Sequence, residues 1–124
     1  MSEHAPAEPS PAQLVEHLTT LTDVEEDNLF DALSSTRRRH VLTVLLTEAR
    51  PVGRVRLASE VAALETGTGS ERRSDELERE VRLSLHHVHL PKLSRAGFVA
   101  IDEDRDLVWP GWTLPIADPV LRTE

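Results

Sequence analysis

The sequence has 124 residues, 39% of them hydrophobic, with 14 basic and 22 acidic residues and a formal net charge of -8. This length supports one packed domain and not two with separate cores. No stretch approaches the roughly 20 apolar residues of a membrane span, and the acidic, Pro-containing N-terminus differs from a secretory signal, so we expect a cytoplasmic protein. Because cysteine is absent, disulfide frameworks, thiolate metal sites, iron–sulfur clusters and cysteine nucleophiles are excluded.

The charge is distributed unevenly along the chain. Residues 1–28 contain seven acidic residues and no Lys or Arg, and residues 101–124 contain six acidic residues and two arginines. Residues 29–100 contain nine acidic and twelve basic residues, so a polyanionic partner would contact this central part. Lys92 is the only lysine, and an acid-rich, lysine-poor composition is typical of halophilic proteins, with an ordinary acidic bacterial protein as the alternative.

The N-terminal part is predicted to be a tail followed by a first core helix. Residues 1–12 are rich in Pro, Ala and Glu without apolar periodicity, which favours disorder. Residues 13–24 favour a short amphipathic helix or a linker. Thr22 and Glu25 form a T-x-x-E capping box, which predicts a helix directly after it.

The central part is predicted to contain two more helices joined by a short connector. Ser34 or Ser35 can cap the first of them, and Pro51 ends its apolar pattern. Residues 52–55 predict a connector or a single strand. The apolar periodicity that follows predicts another helix, which stops near Gly67.

A long helix is predicted to begin near Ser74, where acidic residues complement the positive N-terminal dipole. Pro91 lacks the amide that would bond back to His87, so this helix either kinks there or restarts with Pro91 in its first turn. Gly97 is a natural left-handed cap.

A β-hairpin is predicted after this helix, with strands at residues 98–101 and 107–109 and a polar turn at 103–106. Pro110 stops the second strand. Residues 110–124 then predict an extended, Pro-containing tail.

Helices followed by a hairpin, with the last helix leading straight into it, predict a mainly α winged helix-turn-helix of three to four helices plus a wing. Residues 29–42, LFDALSSTRRRHVL, resemble the opening of ArsR-like winged-helix regulators. Residues 85–99, LHHVHLPKLSRAGFV, are similar to that family's recognition helix and the start of its wing. The segment HHVHLPKL is still more similar to small uncharacterised haloarchaeal winged-helix proteins. The resemblance covers roughly residues 25–109 and implies a domain that binds duplex DNA.

The sequence departs from the ArsR-like family in two respects. Thiolates are absent, so metal sensing of that kind does not carry over, and we expect no cofactor. The wing tip at residues 103–106 is mostly anionic and would be repelled by phosphates except at Arg105. A DNA contact must therefore use the helix centre and flanking arginines, or form at high salt, where cations lie between carboxylate and phosphate.

The predicted DNA-reading element is the helix at residues 74–96, with Arg82 and His86 as the preferred base contacts. Arg82, His86 and His89 are spaced to share one helical face. The predicted DNA-contacting residues are Arg37, Arg38, Arg39, Arg79, Arg82, His86, Lys92 and Arg105.

Each of these assignments has a structural alternative. Residues 37–39 could clamp phosphates, or they could form a solvated helix start that pairs with Asp31 or with the N-terminal acidic residues. Arg82 could instead form a surface ion pair with Glu78.

The clustered histidines and the tryptophans have simpler interpretations than a ligand site. His86, His87 and His89 could share a metal ion, but no further ligand is marked by spacing, so packing or polar contacts are favoured. Trp109 and Trp112 are interpreted as core and tail anchors and not as base-stacking platforms.

The leading functional hypothesis is a cytoplasmic winged-helix transcription regulator that binds duplex DNA, with no enzymatic activity and no identifiable small-molecule effector. A homodimer is expected, because residues 14–21 or the C-terminal tail offer apolar side chains outside the minimal fold. The alternative is a winged-helix protein–protein interaction module that does not bind DNA, which the acidic wing and the acidic start of the helix at residues 74–96 favour.

Overall fold

The computed structural model describes residues 26–66 and 75–114. The predictions for residues 1–12 and 13–24, for the loop after Gly67 and for most of the C-terminal tail lie outside this part of the chain. Within it, no helix is long and apolar enough to cross a membrane.

The described part of the chain begins with three helices. They are α1 (Glu26–Leu33), α2 (Thr36–Glu48) and α3 (Arg54–Thr66). Ser35 caps α2, because its side chain accepts a hydrogen bond from the Arg38 amide at 3.3 Å. Of the two predicted caps, Ser35 is therefore the one used.

The long helix, residues 75–95, contains a wider turn. It consists of α4 (Asp75–Ser84), a π turn (Leu85–His89) and α5 (Leu90–Arg95). The Leu90 amide donates to the Leu85 carbonyl, five residues back, and Pro91 lies in the first turn of α5. The helix thus restarts with Pro91 in its first turn, where the missing amide needs no partner. This is the second of the two predicted alternatives.

A three-stranded antiparallel sheet closes the fold. Its strands are β1 (Val52–Gly53), β2 (Val99–Asp102) and β3 (Leu107–Pro110), in the order β1-β3-β2. Val52 pairs with Val108, so the connector after α2 is a strand that joins the hairpin to the helices. The mainly α fold with a small hairpin is confirmed, and its architecture is that of a winged helix.

One core joins the helices to the inner face of the sheet. Leucines and valines from each of the described helices form one buried cluster with Phe98 and with Val108 of β3. The largest fully buried side chains are Phe98, Leu29, Leu33, Leu42, Leu45, Leu57, Leu85, Leu90, Leu93, Leu114 and Val41. This core fixes the orientation of the long helix, because Leu85, Leu90 and Leu93 are anchored in it.

The junction between the long helix and the hairpin is closely packed around two glycines. Gly97 has a φ of 79°, so the predicted left-handed cap is confirmed. A Cβ on Gly111 would lie 2.2 Å from the Gly97 carbonyl oxygen, so only glycine fits there. Trp112 lies against Gly97 and Trp109 lies on β3, but both indoles are more than a third exposed, so neither is a core residue.

Candidate nucleic-acid interface

Arg37 joins three helices. Its guanidinium forms a bidentate ion pair with Glu65 on α3, in which Nη2 lies 2.7 Å from Oε1. Nη1 donates to the Ser84 hydroxyl on α4 at 2.9 Å. The hydrogen bonds with Glu65 raise the pKa of Arg37. Its side chain is only 19% exposed, and its donors hold α3 and α4 in place.

Arg38 is buried at the junction of α1 and α2. Nε donates to the Ala32 carbonyl at 3.1 Å, and Nη2 donates to the Ser34 hydroxyl at 3.3 Å. Nη1 lies 2.9 Å from Nδ1 of His89, in the π turn. Since Arg38 keeps its donors on the guanidinium, His89 Nδ1 accepts and this imidazole is neutral.

Burial and neighbouring charges act on both partners of this contact. Desolvation lowers the pKa of Arg38, opposed by the charge of Asp31. Desolvation also lowers the pKa of His89, and the positive charge of Arg38 lowers it further. The contact therefore depends on the unprotonated imidazole.

Arg39, the third arginine of residues 37–39, also forms hydrogen bonds within the fold. Its guanidinium donates to the Leu33 carbonyl and to the Thr36 hydroxyl. Asp31, considered above as a partner of these arginines, instead pairs with Lys92 at 2.7 Å, and this hydrogen bond lowers the pKa of Asp31. Residues 37–39 and Lys92 thus hold helices together in the structure.

Three arginines on the long helix have a different environment. Arg79, Arg82 and Arg95 are exposed. Within residues 26–66 and 75–114 they have no ion pair and no side-chain hydrogen bond, whereas every other Lys or Arg there has one or both. Val81 and Leu85 on the opposite side are buried, so Arg79 and Arg82 occupy the outer face of α4. Arg95 was not among the predicted DNA contacts.

The π turn changes which histidines share that face. His86 and His87 are exposed, with ring centroids 4.7 Å apart, whereas His89 faces inward to Arg38. The expectation that Arg82, His86 and His89 share one face is wrong, because five residues and not four separate the bonded groups of a π turn. The same shift leaves Val88 42% exposed.

Leu83 is an apolar residue on the outer face that the sequence interpretation missed. It is 54% exposed and lies in a shallow groove in which it is the one apolar side chain among the described residues. The groove is lined by Glu76, Arg79, Glu80, Leu83, Ser84 and His87. The signal was present, since a leucine at this position falls outside the stripe of buried residues.

The wing tip is held against the start of α3. Arg54 donates to Glu103 and to Asp106, each at 3.2 Å, so two of the acidic residues at the tip are paired. Arg105 is 73% exposed and lies 3.8 Å from Asp102. Of the predicted contact residues, Arg105 is thus exposed and paired with Asp102, and the tip around it is acidic.

A protein family described as a domain of unknown function, DUF7344, matches residues 30–109. The chain belongs to the DUF7344 family. The matched DUF7344 region runs from α1 to β3 and includes the long helix and the wing. No curated protein and no solved structure gives a significant match.

Proposed function

We propose that the protein is a winged-helix transcription regulator, without enzymatic activity, whose long helix binds duplex DNA. One observation carries the proposal. In the described ranges, the only Lys and Arg side chains left without a polar partner are Arg79, Arg82 and Arg95, and all three lie on the long helix. Unpaired guanidinium groups on one helix supply the donors that phosphates and guanine edges accept.

The fold supports the proposal, because the long helix follows α3 and leads into the hairpin, as a reading helix does in winged-helix proteins. The resemblance to ArsR-like regulators supports it as well, together with a homodimeric, cytoplasmic state. The proposed contact set is narrower than the sequence indicated. It comprises Arg79, Arg82, Arg95 and His86, with residues 37–39 as positioning residues.

A protein–protein interaction module is the second candidate, and the wing favours it. Asp104 and the carboxylates near Arg105 would repel phosphates. If this candidate holds, the exposed face of α4 binds a protein and duplex DNA is not retained.

Substitution of the unpaired arginines tests the proposal. Arg79→Ala/Arg82→Ala should lower the affinity for duplex DNA by roughly tenfold or more, since each arginine contributes a charged contact. Binding is measured by fluorescence anisotropy with a labelled duplex, and circular dichroism confirms folding. Arg50→Ala is the control, because Arg50 is 70% exposed and lies outside the long helix. Equal affinity of the double variant and the wild type would contradict the proposal.

A further inference from the structure

Leu83 lies on the part of the long helix where a soluble domain normally exposes polar groups. More than half of its side chain is exposed. Single exposed leucines are common, but this one lies in a groove next to Arg79 and directly follows Arg82, which is also exposed. An apolar group beside unpaired cations suits a ligand that combines negative charge with apolar groups.

The charges around Leu83 narrow the choice of ligand. Glu80 lines the same groove, but it lies 3.6 Å from Arg37, which offsets part of its negative charge. Glu76 stands at the N-terminal end of α4. The arginines beside Leu83 are left to attract an anionic partner.

Duplex DNA has one apolar group that a helix in the major groove can contact. This group is the 5-methyl of thymine, which lies on the groove floor beside the hydrogen-bonding edges of the bases. A helix that places Arg79 and Arg82 near phosphates or guanines would bring Leu83, one residue from Arg82, to that floor.

We propose that Leu83 is a specificity residue that packs against the 5-methyl group of a thymine in the major groove. This inference rests on the proposed DNA binding. It adds that the recognised sequence contains a thymine at a fixed position, and that the sequence preference comes in part from apolar contact and not only from arginine hydrogen bonds.

The test removes single methyl groups from the DNA. Bound sequences are selected by the full-length wild-type protein from a random duplex pool. Each thymine of the selected site is then replaced by deoxyuridine, and the dissociation constant is measured by anisotropy. For the wild type, the replacement should weaken binding about fourfold at one or two positions, the effect of exposing one methyl group.

The Leu83→Ala variant supplies the matching arm. It should bind the thymine site more weakly than the wild type and lose most of its sensitivity to deoxyuridine at the same positions. Leu64→Ala is the control, because Leu64 is 43% exposed on α3, and it should keep the wild-type sensitivity.

Three outcomes would overturn the inference. Selected sites without a shared thymine would do so, as would equal sensitivity to deoxyuridine in the wild type and in Leu83→Ala. In both cases the DNA binding itself would stand. Failure of the folded wild type to bind any duplex would overturn the proposed function and the role of Leu83 with it.

Discussion

Arg38 occupies a position where a charged side chain is retained only with partners. It is 6% exposed, and its guanidinium bonds to a carbonyl, a hydroxyl and an imidazole on two elements. A buried guanidinium is costly unless its donors are satisfied, so these bonds are the reason that it can be buried. Its role is to hold the π turn of the long helix against α1 and α2.

Arg38→Ala should lower the free energy of unfolding by about 2–4 kcal/mol, because the Ala32 carbonyl and His89 lose their donor and a cavity remains. Urea unfolding followed by circular dichroism measures the change. Arg50→Ala, at an exposed site, should change it by less than about 0.5 kcal/mol. A stable Arg38→Ala variant would show that the guanidinium is dispensable to the fold.

Stability should fall as the pH drops below about 6.5, the ordinary pKa of histidine. Folding lowers the pKa of both His89 and His40, mainly by desolvation, so the unfolded state takes up protons first. The contribution of the neutral imidazoles to stability is fully present above the pKa that these histidines have in the unfolded state. It is lost progressively as the pH falls from that value towards their lower pKa in the folded state.

Urea unfolding at stepwise pH from neutral to mildly acidic measures this loss. His89→Gln should reduce the pH dependence, because its amide oxygen can accept from Arg38 without titrating. His86→Gln, at an exposed position, is the matched imidazole deletion. A pH dependence that is as steep in His89→Gln as in the wild type would show that His89 does not contribute.

The elements of this protein were more predictable than their contacts. Ser35, Pro51, Pro91 and Gly97 act on their own neighbours in the chain, so caps, ends and the helix restart follow from local chemistry. Arg37 and Arg38 also have partners that local chemistry does not predict, because Glu65 and His89 lie far away in sequence. The π turn also could not be predicted, since proline allowed either a kink or a restart, and the turn decides which side His89 and Val88 face.

The junction of the long helix and the hairpin gives a prediction for an element boundary. Gly111→Ala should lower the free energy of unfolding by about 2 kcal/mol or more, because its methyl group would overlap backbone atoms of Gly97 and Phe98. Gly53→Ala is the matched control, since the only neighbour of its methyl group is the Asp106 carbonyl oxygen at 3.9 Å. Thermal unfolding of both variants should separate them, and an equal effect would contradict the packing of the junction.

At the scale of the whole molecule, the net charge of -8 and the unpaired arginines of the long helix act in opposite directions on a polyanion. The acidic residues repel DNA at long range, where salt screens the interaction, whereas arginine contacts act at short range. For the proposed DNA binding, this separation makes ionic strength the variable to change.

The thermal unfolding midpoint should rise by several degrees between low and molar KCl, because salt screens the repulsion among the surface carboxylates. Differential scanning calorimetry measures it, with sucrose at matched osmolality as the control for solute exclusion. A midpoint that falls with added KCl would contradict the halophilic interpretation of the composition.

The most direct test of DNA binding is a mobility shift of the purified protein on fragmented genomic DNA from low to molar KCl, with circular dichroism confirming the fold at each concentration. We predict that fragments sharing one sequence are retained, that they remain bound in molar KCl, and that Arg79→Ala/Arg82→Ala releases them. Folded protein that shifts no fragment at any salt concentration would contradict the account.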